Sequence, residues 1–175
     1  MKSVMETCCL AAMAFSVAAH ATGDGVYTYS SYGMEAEDWG DPLFIMIGES
    51  PRRMPPFVGA GSEFQRAAFC GANESRICVA SEIVTFSVPK GQVSVGEDWV
   101  YNNFRFSVSG KIRTAVLGRE VQGFRIIAWN GFNVRWVFVY SYEVGLIIIE
   151  DHSESEKAPI TYLLENGVGF GAQAR

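Results

Sequence analysis

Residues 121 to 149, VQGFRIIAWNGFNVRWVFVYSYEVGLIII, join the longest apolar alternation in the chain to its clearest turn signal. Phe124, Ile126 and Ala128 share one parity before Asn130-Gly131, and Val134, Trp136, Phe138, Tyr140 and Tyr142 share one parity after it. A period of two places alternate side chains on one face of a strand, which an α-helix cannot do. Asn-Gly tolerates the positive φ that both central residues of a type I′ turn require, so the stretch predicts a two-residue hairpin at the centre of the fold. Trp129, Trp136 and Phe138 are read as its core side chains.

The remainder of the chain supplies strands to pair with that hairpin. Leu43 to Ile47, bounded by Pro42 and Gly48, suits a strand covered on both faces, and Pro51, Pro55 and Pro56 make the stretch from Ser50 to Gly61 a long connection. Ser62 to Phe69 has an N-cap serine and apolar residues at i, i+3 and i+4, which predicts one short helix. Ile83 to Val88 alternates as a half-buried strand. Trp99 to Val108 and Lys111 to Leu117 form a second hairpin turning at Ser109-Gly110. Gly145 marks a bulge or tight bend ahead of a central Leu146 to Ile149, and Ile160 to Leu164 makes the final strand. The tail with Gly167, Gly169 and Gly171 reads as frayed. The fold class expected is therefore mainly β: an antiparallel meander, closed as a barrel or folded as a sandwich, with one short helix.

At 175 residues the chain suits a single domain with a substantial core. Its first 21 residues read as a leader: Lys2, an apolar run from Cys8 to Ala19, and a small-x-small site at Ala19-His20-Ala21. The apolar run is shorter than the roughly 20 residues a membrane span needs. Removal of the leader leaves residues 22–175 as one β-rich domain in a periplasmic or secreted setting, with no membrane insertion. Cys70 and Cys78 are then the remaining cysteines, and an oxidising compartment makes one disulfide their economical state.

The formal net charge is −5, and losing Lys2 with Glu6 leaves it unchanged. Arginines are scattered singly apart from Arg52-Arg53, which argues against nucleic acid as a partner. The acids are uneven. Between Thr22 and Ser50 lie Asp24, Glu35, Glu37, Asp38, Asp41 and Glu49 with no lysine or arginine, interleaved with Tyr27, Tyr29, Tyr32 and Trp39. Residues 22–50 are accordingly read as an exposed acidic, aromatic arm, whose Tyr27, Tyr29, Tyr32, Glu35, Glu37, Asp38 and Trp39 meet a protein partner, with a cationic one favoured by charge.

The chain offers little for catalysis. His152 is the one histidine left after the leader, and it sits among Glu150, Asp151, Ser153 and Glu154 in a polar stretch, a poor setting for a nucleophile–base pair. Glu35, Asp38, Glu97 and Asp98 could pair as glycosidase carboxylates, but only by number. The acids lack calcium-loop spacing, and no Gly-Lys-Ser/Thr follows a strand, so no catalytic residue, metal site or cofactor is assigned. The expected function is an exported binding protein, such as an inhibitor or immunity protein blocking a cationic or wall-directed enzyme. The rivals are an exported carboxylate-dependent hydrolase and an envelope structural or assembly component that pairs through a sheet edge.

Overall fold

A computed structural model describes residues 25–32, 41–47, 56–153 and 158–173. Its backbone is organised as two antiparallel meanders. The first runs through β1 (Gly25–Tyr32), β2 (Leu43–Ile47), β3 (Phe57–Ala60) and β4 (Glu63–Arg66). The second runs through β8 (Asp98–Tyr101), β9 (Phe104–Val116), β10 (Arg119–Asn130), β11 (Asn133–Ser141), β12 (Gly145–Asp151) and β13 (Ile160–Leu164). They fuse where β1 pairs with β13, with Tyr29 opposite Leu164 and Tyr32 opposite Thr161. The result is a ten-stranded sheet in the order β4-β3-β2-β1-β13-β12-β11-β10-β9-β8.

Between the meanders the chain forms a second sheet of three strands, β5 (Ala68–Phe69), β6 (Arg76–Ala80) and β7 (Thr85–Pro89). This small sheet covers the inner face of the large one. Phe86 of β7 lies 5.0 Å from the Phe138 ring and 5.6 Å from that of Tyr140. It also reaches both edges of the large sheet. The Trp99 indole of β8 donates to the Ser87 carbonyl at 3.1 Å, and the Gln65 amide of β4 donates to Glu82 at 3.3 Å. Among the described residues the large sheet is not closed into a barrel, and the segment of the small sheet links its two edge strands.

The mainly β, antiparallel architecture is the one expected, but several elements differ. No helix forms at Ser62 to Phe69, which instead supplies β4 and β5. Eight residues are too few to sustain a helix on propensity alone, and Gly61, at φ 58°, turns β3 back so that Ala60 faces Glu63. Ser109-Gly110 is not a turn; it lies inside β9, where the pairing slips between Arg125 and Ile126 as a bulge. The turns flanking β9 are Asn102-Asn103 and Leu117-Gly118, each with positive φ at both residues, as a type I′ turn demands.

The central hairpin forms, with its turn one residue later than read. Asn130 pairs with Asn133, leaving Gly131-Phe132 at the tip, and of these two only Gly131 has a positive φ, 61°, the pattern of a type II′ turn. The cause is a bulge at Arg135, since Trp129 faces Val134 while Ala128 faces Trp136. Trp136 and Phe138 are core residues as expected, whereas Trp129 has the opposite parity from Ala128 and is only half-buried. Strand β7 is buried on both faces rather than one: Thr85 turns its hydroxyl onto the Ser81 carbonyl, and the Ser87 carbonyl accepts from the Trp99 indole while its buried hydroxyl has no partner among the described residues.

Two segments read as loose are tightly held. Gly25 to Tyr32 is not an exposed arm but an interior strand, and Tyr29 is 0% exposed. The glycine tail is not frayed. The Gly169 amide donates to the Val144 carbonyl at 2.6 Å, the Leu146 amide to the Phe170 carbonyl at 2.8 Å, and the Gln173 amide to the Tyr142 carbonyl at 2.7 Å. Phe170 is buried against Tyr27, Phe69 and Phe86. Gly145 sits at the bend expected of it, at φ 87°, where the tail crosses.

Candidate partner surface and adjoining cleft

The expected partner residues separate by depth. Tyr29 and the half-buried Tyr27 belong to β1, and burial raises the pKa of both phenols, most strongly that of Tyr29. Both brace the tail at Phe170, and Tyr29, fully buried, presents no surface, while Tyr27 keeps part of its ring exposed. Tyr32 ends β1 and is half exposed. Glu35, Glu37, Asp38 and Trp39 lie outside the described residues, as does the leader. Cys70 and Cys78 form the disulfide expected of them, their Cα atoms 5.1 Å apart, and it closes the loop that carries Glu74. Glu74 is held within that loop by accepting from the Gly71 amide at 2.9 Å.

Among the described residues, the candidate acid–base groups His152, Glu97 and Asp98 are each placed on their own element. His152 continues β12 past Asp151, its amide donating to the Arg135 carbonyl at 2.9 Å and its Nε2 3.3 Å from Glu150. Glu97 accepts from the Ser94 amide at 2.9 Å and so closes its own turn, while Asp98 is exposed on β8.

A surface does assemble at the end of the large sheet where the β8–β9 and β10–β11 hairpins turn. Register places Val100, Arg105, Trp129 and Val134 opposite one another across four strands, and directly paired residues share a face. Val100 is exposed, and the Arg105 guanidinium lies 5.7 Å from the centre of the Trp129 ring, a cation–π contact. At the hairpin tip beside this row stands Phe132, 99% exposed. The one sequence signal for the row was parity, since Trp129 falls out of phase with Ile126 and Ala128. The Phe132 tip depended on the bulge, which no local pattern announces.

Around the end of the same hairpins lies a cleft of 870 Å³. It is bounded by Gln65 and Arg66 of β4, Ser81 and Glu82 of the β6–β7 turn, Asn102 and Asn103 of the β8–β9 turn, and Asn130, Arg135 and Trp136 of the central hairpin. Ser81 and Thr85 spend their hydroxyls on their own turn, at 3.1 Å to the Val84 and Ser81 carbonyls respectively. Arg135 is ion-paired with Asp151 and lies over the Trp136 ring, 4.4 Å from its centre. Among the described residues the lining holds one carboxylate, Glu82, and neither histidine nor cysteine, and its asparagine, glutamine and arginine side chains offer hydrogen-bond donors and acceptors.

The chain matches no family model, no curated protein and no solved structure.

Proposed function

We propose that this chain is an exported β-rich binding protein that acts by occupying a protein partner, in the manner of an inhibitor or immunity protein directed at a cationic or wall-directed enzyme. Phe132 carries the reading: a 99% exposed aromatic at the tip of the hairpin that anchors the core. Burying such a side chain in a partner is favourable by about 1.5 to 3 kcal/mol. Trp129 and Arg105 beside it are residue types that dominate interface energetics, and a hairpin held by the core loses little conformational freedom on docking. Glu35, Glu37, Asp38 and Trp39 are proposed to add charge steering and a second anchor from the acidic segment. A periplasmic or secreted location is in keeping with the Cys70–Cys78 disulfide. Assembly through a sheet edge is less well supported. Both edge strands, β4 and β8, are four residues long, and Arg76 caps β8 by donating to the Val100 carbonyl at 3.1 Å.

The test starts from a partner captured from envelope extract by the full chain and measures its binding by surface plasmon resonance at low and physiological salt. Phe132→Ala is expected to speed dissociation at a cost of about 2 kcal/mol or more, while changing the stability of the free protein by less than about 0.5 kcal/mol. Replacing Glu35, Glu37 and Asp38 by their amides is expected to slow association and flatten its salt dependence. An unchanged dissociation rate for Phe132→Ala removes the hairpin tip from the interface.

A further inference from the structure

We infer that the cleft around the hairpin ends is a second binding site, distinct from the Phe132 surface, and that it takes a neutral, polyhydroxylated ligand, the chemistry of an uncharged oligosaccharide. Its volume of 870 Å³ falls in the range of about 300 to 1,000 Å³ typical of sites for small ligands. Asn102, Asn103 and Asn130 line it as exposed side chains, and among the described residues none of their amides is engaged by another protein group, so all three are open to a ligand. Each amide offers donors and an acceptor together, which is what a hydroxyl group, itself donor and acceptor, can use in full. A carboxylate or phosphate would use only the donors.

Charge points the same way. The Arg135 guanidinium is neutralised by Asp151, and the other two charges of the lining, Arg66 and Glu82, are of opposite sign, with Glu82 held by Gln65 through both ends of its amide. The half-buried Phe104, 4.8 Å from the Trp136 ring centre, gives the lining an apolar surface for the C–H face of a sugar ring. An extended peptide is disfavoured, because the neighbouring edge of β8 already has its Val100 carbonyl occupied by Arg76. Turn geometry explains asparagine at 102 and 103, where φ is 46° and 65°. It does not explain why two hairpin ends and a paired arginine converge on one cleft.

The positive φ at Asn103 also supplies a clean variant, since Asn103→Gly removes the amide and leaves the turn comfortable. The full chain is titrated by calorimetry with uncharged tetrasaccharides of β-1,4-linked glucose, β-1,4-linked N-acetylglucosamine and α-1,4-linked glucose, with tetragalacturonate as the acidic comparison. Saturable binding of at least one neutral sugar is expected, weakened by about tenfold or more in the Asn103→Gly/Asn130→Ala double variant, at an unchanged melting temperature. No heat from any neutral sugar at millimolar concentration, binding of the acidic sugar alone, or equal binding by the double variant overturns the assignment. The titration uses no protein partner, so its failure is separable from that of the Phe132 interface.

Discussion

The Tyr29 hydroxyl donates to the Leu146 carbonyl at 3.2 Å and accepts from the Phe170 amide at 3.1 Å, so one side chain ties β1 to β12 and to the tail. Removing only that oxygen in Tyr29→Phe strands two buried backbone groups. The expected cost is about 1 to 3 kcal/mol, read from urea melts. Trp136→Ala, which empties a packed site between Phe104 and Phe138, is expected to cost about 3 to 5 kcal/mol in the same assay. Tyr29 and Tyr140 have raised phenol pKa values, in both cases chiefly from burial. A folded state that keeps these protons while the unfolded chain gives them up near pH 10.0 is favoured fully below that pH and loses stability as pH rises further. Tyrosinate absorbance and unfolding should therefore rise together above about pH 10, and Tyr29→Phe should make stability fall less steeply there.

At the scale of elements, two glycines separate crowding from backbone conformation. A Cβ at Gly169 would collide with the Leu146 backbone carbonyl, because the tail crosses the start of β12 at contact distance. A Cβ at Gly131 would meet nothing, but the hairpin tip holds φ at 61°. Gly131→Ala is expected to cost about 1 to 2 kcal/mol, the penalty of left-handed backbone for a residue with a Cβ. Gly169→Ala is expected to cost more and to release the tail, which limited proteolysis would report as early cleavage after residue 164. Equal melts for the two variants would mean that the tail does not rest on β12. The positive φ at Gly131 was legible in the Asn130-Gly131 signal, but the clamp at Gly169 was not, since a glycine-rich end looks the same whether it frays or is clamped by backbone it alone can approach.

Across the whole molecule, the seam between β1 and β13 joins strands more than a hundred residues apart, and it makes the two meanders one sheet. Native-state hydrogen exchange should find the β1 amides opening with a free energy close to that of Phe138 to Tyr140, near global unfolding. Exchange of β1 orders of magnitude faster would mean that the first meander is only docked. The features legible in the chain alone were local and periodic: the antiparallel β class, the strands at Leu43 to Ile47 and Ile160 to Leu164, the bend at Gly145, the core parity of Trp136 and Phe138, and the Cys70–Cys78 bond. These depend on alternation, on turn chemistry and on two cysteines close in the chain, all visible within a short window. Pairing beyond a short window was needed to make Tyr29 core, to put Phe132 at a hairpin tip, and to bring Asn102, Asn103 and Asn130 to one cleft, while Ser62 to Phe69 became strand through the turn at Gly61 that returns it onto β3. The first three outcomes rest on contact between distant strands or on a bulge that shifts register by one residue, and hydrogen bonds to a partner far along the chain leave no period in the segment that makes them.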